Sequence, residues 1–204
     1  MENGAGENGA GENGAGMPRP LSDDNLASVL VRGLCPTTVV LVDYDPRWPV
    51  RYAEAADRLR AVLGIRLRLI EHIGSTSVPG LIAKPVIDIV IGIDDPDDEI
   101  GYLPALETAG YEPRVREPGH RCLRGSVGEL AVNLHCYPPG SVSVRRYLVF
   151  RDRLRADEAD RARYAAVKRA LAARGEWPDM NYYAEAKGPT IEHILARAGW
   201  TDRT

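Results

Sequence analysis

The sequence predicts an α+β fold: a mixed β-sheet flanked by helices, with a helical C-terminal portion. Three observations predict it. Two strand-like stretches, "RLRLIEHI" and "PVIDIVIGI", flank a Gly-Ser-Thr-Ser turn. A further strand and a hairpin follow in "YEPRVRE" and "HRCLRGSVGELAVNLHCYP". From about Val142 the alternating pattern gives way to helical spacing, held through "SVRRYLVFRDRLRAD", "EADRARYAAVKRALAARG" and "YYAEAKGPTIEHILARAG".

Taken in order, "TTVVLVDYDPRWP" predicts a short β-branched strand and then a helix start, with Asp45 as N-cap and Pro46 in the first turn. Tyr52, Ala56, Leu59 and Leu63 recur at helical spacing, and Gly64 ends that helix. Along "PVIDIVIGI", Ile87, Ile89, Ile91 and Ile93 share one face, while Asp88 shares the other with Val86, Val90 and Gly92. "DDPDDEIGYLPALETAG" predicts an acidic-capped helix weakened by Gly101 and Pro104. The hairpin turns at Val127-Gly128. On its return arm Leu130, Val132, Leu134 and Cys136 face one way and Glu129, Ala131, Asn133, His135 and Tyr137 the other. Trp48 is expected as a core anchor.

Composition narrows the class. The 204 residues suffice for one domain with a sizeable core, and 44% hydrophobic with 27% charged content reads as soluble and globular. No apolar run is long enough for a bilayer and no secretory leader pattern opens the chain, so the expected location is cytoplasmic, without membrane partners. Three cysteines (Cys35, Cys122, Cys136) have no metal-like spacing and read as small buried hydrophobes. The net charge of -3 argues against general nucleic-acid binding. That charge comes from Glu2, Glu7 and Glu12, in three copies of Glu-Asn-Gly-Ala-Gly over residues 2–16; without them the charges balance. The expected organisation is a disordered tail over 1–16, an extension over 17–38 and one domain over 39–200. Its sheet portion spans about 39–140 and its helical portion about 142–200. Nothing in the sequence assigns an oligomeric state.

One residue carries the functional question. Asp88 is an isolated carboxylate among Val86, Ile87, Ile89, Val90 and Ile91, and a bare buried carboxylate costs several kcal/mol unless paired, hydrogen-bonded or metal-bound. A small-residue turn followed by such a strand can serve phosphate and metal together. Backbone N–H groups and hydroxyls of Gly74, Ser75, Thr76 and Ser77 approach the phosphates, and Asp88 holds Mg²⁺. A turn of this composition is equally a structural device.

Six stretches occur in a telling order: "VDYDPRWP", "EHIGSTSVPGLIAKPVIDIVI", "NLHCYPPGS", "YLVFRDRLRAD", "YAAVKRALAAR" and "YYAEAKGPTIEHIL". Together they resemble the GrpB family, over about residues 39–198. The resemblance implies the nucleotidyltransferase (polymerase-β-like) superfamily fold. That superfamily's pattern is Gly-Ser, two carboxylates one residue apart, and a third on a neighbouring strand. Gly74 and Ser75 match the first element and Asp88 the first carboxylate. Val90 stands at the second, where no metal ligand is possible, and Asn133 and His135 face the site from the later strand. The implied ligands are a nucleoside triphosphate and Mg²⁺, with Asp88 and Asn133 as metal ligands; in some bacteria a GrpB-like domain is fused to dephospho-coenzyme A kinase.

The remaining polar residues divide by role. His135 or His72 would be the general base, and His72 is equally a structural histidine of the turn. Lys84 either caps the turn or contacts phosphate. Of the helical cations, Arg151 and Lys187 lie in family-like motifs and are expected at an anionic ligand, flanked by Tyr183 one helical turn before Lys187; the others, including Lys168, read as a solvated face. His120 and His193 read as surface or local structural residues.

Three functions follow. The first is an enzyme acting on a small acceptor with a nucleoside triphosphate and Mg²⁺. The second is a catalytically reduced module binding a nucleotide or coenzyme A-like metabolite, favoured by Val90. The third is a non-nucleotidyl enzyme using the same cleft on an acidic small molecule.

Overall fold

The structure is a computed structural model and describes residues 28–201; the Glu-Asn-Gly-Ala-Gly tail and residues 17–27 of the expected extension lie outside the described residues. Its centre is a five-stranded mixed sheet in the order β2-β3-β6-β5-β4. These strands are β2 (Leu69–Ile73), β3 (Val86–Gly92), β4 (Glu112–Glu117), β5 (His120–Val127) and β6 (Leu130–Tyr137). β3 runs parallel to β6 and antiparallel to β2, and the β4-β5-β6 meander completes the sheet.

One face of the sheet forms the main core. Ile87, Ile89, Ile91 and Ile93 of the β3 segment meet Val132, Leu134 and Cys136 of β6 beneath helix α1 (Trp48–Leu63). Trp48, Leu59 and Leu63 of α1 are buried there, each side chain contributing on the order of 2 kcal/mol by leaving water. The alternation of β3 dictates this face, because successive side chains point to opposite sides of a strand. Gly64 ends α1 as expected, with φ 53. Its start differs: the helix begins at Trp48, not Pro46. Asp45 instead accepts from the Arg47 backbone N–H at 2.9 Å and its carbonyl accepts from Trp48 N–H, a side-chain turn just before the helix.

The expected first strand is also different. β1 is only Thr37–Thr38 and pairs with β7 (Glu176–Trp177) in a separate two-stranded sheet; Val42 makes an isolated bridge to Ala83. The residue pattern is β-branched, but the partner comes from the far end of the chain. Leu30 bridges to Val115, which places this part of the extension at the outer strand β4. The acidic-capped helix reduces to a 3₁₀ turn at Glu99–Gly101 and the short α2 (Leu103–Thr108).

The opposite sheet face is covered by α3 (Val142–Ala156), whose Val144 packs on Ile73 and Val90. α4 (Glu158–Ala172) follows. The last expected helix is two: α5 (Met180–Glu185) and α6 (Gly188–Arg197), broken at Lys187. Pro189 in the first turn of α6 can start a helix but not continue one. α3, α4 and α6 pack on Val78, Leu81 and Ile82 of the turn segment after β2. The 74–85 segment is therefore held between sheet and helical portion, and the candidate site lies along it. No helix among the described residues is long and apolar enough to cross a membrane.

Candidate functional site

Asp88 has two immediate neighbours, and both are imposed by the strand register. Asn133 lies opposite it on β6, and its side-chain Nδ2 donates to Asp88 Oδ1 at 2.9 Å. On the other side Ile73 pairs with Asp88, so the chain turns at Gly74 directly against the carboxylate. Gly74 has φ 69, and a Cβ placed there would lie 2.2 Å from Asp88 Oδ2. Only glycine supplies both the conformation and the space.

The hydroxyls of the turn are already engaged. Thr76 Oγ1 donates to the Val86 carbonyl at 3.0 Å and lies 3.1 Å from His72 Nε2. Ser77 Oγ donates to the Gly74 carbonyl at 2.6 Å, and Ser75 lies in hydrogen-bonding reach of the Tyr164 hydroxyl. Thr76 and Ser77 are buried. His72 is buried as well, stacked on Tyr52 at 4.6 Å. Burial, with Arg155 and Arg151 nearby, lowers its pKa to about 3. It is a neutral imidazole bracing the turn, and too weak a base for proton transfer near neutral pH.

Three lysines converge on Asp88. Lys84 comes from the end of the turn segment, Lys168 from α4 and Lys187 from the α5–α6 break. Burial lowers their pKa values to about 8, about 7 and about 8, while the Asp88 carboxylate pulls each one up. Lys168, only 2% exposed, donates its ammonium to the Ile82 carbonyl. Lys84 and Lys187 sit over the Tyr183 ring at 5.7 and 4.7 Å from its centre. Among the described residues none of the three forms an ion pair within 4.0 Å. The Tyr183 hydroxyl is buried and has no hydrogen-bond partner. The result is one buried and two half-buried cations around Asp88, with Asp179 acting on Lys84 as well, and one orphaned hydroxyl, an arrangement with an excess of donors and positive charge.

Tyr183 and Lys187 thus meet, though across a helix break and not along one helix. Lys168 was not expected here. Its signal was in the sequence: Tyr164, Ala165, Lys168 and Leu171 share the buried stripe of α4, so the lysine occupies a core position. Arg151 goes elsewhere. Its guanidinium donates to Glu71 Oε2 at 2.7 Å and the His72 carbonyl at 3.0 Å.

His135 pairs with Val90 on β3 and Cys122 on β5. Its Nδ1 lies 3.2 Å from His120 Nε2, and His120 Nδ1 lies 2.7 Å from Glu117 Oε2. An ionised glutamate only accepts, so a neutral His120 would carry its proton on Nδ1 and accept from His135 Nδ1–H through Nε2. The Cys122 side chain hydrogen-bonds the His135 ring as well. Burial disfavours its charged form, but Cys122 and Asp88 outweigh that and its pKa is raised. Glu117 and His120 are functional candidates that the sequence did not single out. Of the cysteines, Cys136 is buried as expected, whereas Cys35 is exposed and Cys122 half-buried.

The donor set decides which cation the site accepts. Val90 is fully buried beneath Val144 of α3, so the second carboxylate position is filled by core packing. Among the described residues no group of three or more His, Cys, Asp or Glu side chains is placed to hold a metal. Asp88 and the Asn133 carbonyl are two oxygen donors amid three cations. They do not fit a resident pair of metal ions, which needs several carboxylates.

A family model described as GrpB protein matches residues 38–197. The chain belongs to the GrpB family. A UPF0157 protein of Halalkalibacterium halodurans is 44% identical over 187 residues, covering 89% of this chain and 94% of that protein. One of Streptomyces coelicolor is 51% identical over 159 residues, covering 78% and 83%. The crystal structure of conserved protein GrpB from Enterococcus faecalis shares the fold, with a TM-score of 0.66, 31% identity and coverage of 78% of this chain and 96% of that one. The names of these relatives state no reaction.

Proposed function

We propose that this GrpB protein binds a nucleoside triphosphate, or a metabolite of the same polyphosphate chemistry, at the Asp88–lysine site. The observation that carries the proposal is the charge imbalance: buried Lys168 and half-buried Lys84 and Lys187 gather around Asp88, and Asp179 adds a carboxylate only towards Lys84. Buried charges without counter-ions are costly, and a polyanion removes that cost. The Tyr183 hydroxyl gains a partner from the same ligand. Phosphate oxygens would meet the lysines, and Mg²⁺ brought in with the triphosphate would find Asp88 and the Asn133 carbonyl as protein ligands. When bound, such an ion neutralises phosphate charge.

Calorimetric titration with ATP, GTP, CTP and UTP, with and without Mg²⁺, tests this. Saturable binding by wild type that is lost in Lys187→Ala supports the site. No binding by any of the four sinks the nucleotide reading.

A second reading adds transfer to a small acceptor, and one observation favours it. His135, whose pKa is raised, lies on the sheet face that carries Asp88 and is linked through His120 to Glu117. It could take the acceptor's proton. Label transfer from a radiolabelled triphosphate to a mixture of small alcohols and amines, absent in His135→Gln, would establish this reading over simple binding.

A further inference from the structure

A second cleft of 580 Å³ is lined by Ser77 of the turn and by none of Lys84, Asp88, Lys168 and Lys187. Its size falls in the range of small-molecule pockets. Tyr44, Pro49, Tyr52 and Pro79 give it a flat apolar wall, and Arg151, Arg155 and Arg161 line the remainder with Glu71.

The three arginines differ in their partners. Arg151 is satisfied by Glu71, Asp152 and the His72 carbonyl. Arg155 donates twice to the Ser77 carbonyl, at 2.8 and 3.0 Å, and reaches Asp152 only at 3.4 Å. Arg161 donates through one nitrogen to the Leu154 and Arg155 carbonyls, and among the described residues it meets no carboxylate. The cleft therefore carries surplus positive charge, felt by the buried His72. Two guanidinium groups beside an aromatic wall match an anionic head on a flat body, because the planar fork of arginine suits phosphate and carboxylate geometry.

We infer that this cleft is a second binding site, for a small organic anion whose phosphate or carboxylate meets Arg155 and Arg161 and whose flat body lies against Tyr44. The site is separate from the Asp88 site but joined to it by one short turn. The Ser77 carbonyl holds Arg155 on the cleft side, and the Ser77 hydroxyl holds the Gly74 carbonyl next to Asp88. Occupancy of the cleft is thus communicated to the carboxylate through residues 74–77.

The test is titration of the full chain with phenyl phosphate, benzoate and inorganic phosphate, followed by two-dimensional NMR. Phenyl phosphate should bind saturably, with shifts at Tyr44, Ser77 and Gly74. Arg161→Gln should weaken it about tenfold with an unchanged thermal midpoint, and Lys187→Ala should leave it unaltered. Tyr44→Leu should weaken it while also lowering the midpoint through lost packing on Trp48. Benzoate binding alone would assign a carboxylate head, and phenyl phosphate alone a phosphate. Equal affinity for inorganic phosphate would remove the flat body from the inference. Loss of binding in Lys187→Ala but not in Arg161→Gln would move the anion to the lysine site and overturn the second site, as would no saturable binding of the three probes. Neither result bears on nucleotide binding, which is read separately with triphosphates.

Discussion

Two cationic regions of this protein are built on opposite principles. Between α3, α4 and α6 the charges are matched. Asp160, 1% exposed, accepts from Arg153 at 2.7 Å and from Arg197 at 2.9 Å, and Asp157 takes a second contact from Arg153. Burial pushes the Asp160 carboxyl up, but the two arginines outweigh it and hold the pKa below the usual carboxylate range. Around Asp88 the charges are unmatched, and the lysines respond by losing affinity for protons. Matched buried charge joins elements together. Unmatched buried charge marks a place prepared for something else.

The contrast can be broken or sharpened by experiment, and the largest effect is expected at its hinge. Gly74→Ala places a methyl group on Asp88 and forces a left-handed conformation, so unfolding free energy in urea should fall by about 3 kcal/mol or more. A tolerated alanine would mean that Asp88 is not held where the turn requires it.

Next comes the matched region. Asp160→Asn removes the buried carboxylate between Arg153 and Arg197, which keep only Asp157, and stability should drop by about 1–2 kcal/mol. Lys168→Met is the counterpart in the unmatched region. Removing a lysine whose ammonium is costly to bury should leave the unliganded protein equally stable or about 1 kcal/mol more stable, while abolishing triphosphate binding. If both variants lost stability alike, the distinction between the regions would fail.

The smallest effect is the pH dependence. The three lysines have folded-state pKa values of about 7 to 8 against an ordinary 10.5. Between those limits the unfolded chain holds more protons, so the unliganded protein should gain stability as pH rises from about 7 towards 10. His72 acts at the acid end. Its folded pKa of about 3 lies below the ordinary 6.5, so its contribution is present above pH 6.5 and is lost as pH falls towards 3. Thermal midpoints across pH 4 to 9.5 read both slopes. Flat behaviour above pH 7 in wild type would contradict the lysine assignment.

Much of this was legible in the sequence where a local pattern decides the outcome. Alternation in β3 gives the isoleucine face and leaves Asp88 on the other, and the hairpin pattern puts Asn133 and His135 on one face of β6. What was not legible depends on distant partners. Nothing near Thr37 says that its partner is Trp177. Arg151 and Lys187 look equivalent as motif cations, but α3 directs one to Glu71 while the α5–α6 break directs the other towards Asp88. Lys168 was hidden by the usual rule that a charged helical residue faces water, although its position on the buried stripe of α4 contradicts that rule. Glu117 and His120 join the site only because β4, β5 and β6 bring them beside His135.

The most direct test of the central claim is calorimetric titration of ATP at pH 7 and pH 9.5, in two buffers of different ionisation enthalpy. If the unmatched lysines receive a polyanion, binding takes up protons and affinity falls markedly between pH 7 and pH 9.5. Triphosphate binding with no proton uptake and equal affinity at both pH values would contradict it.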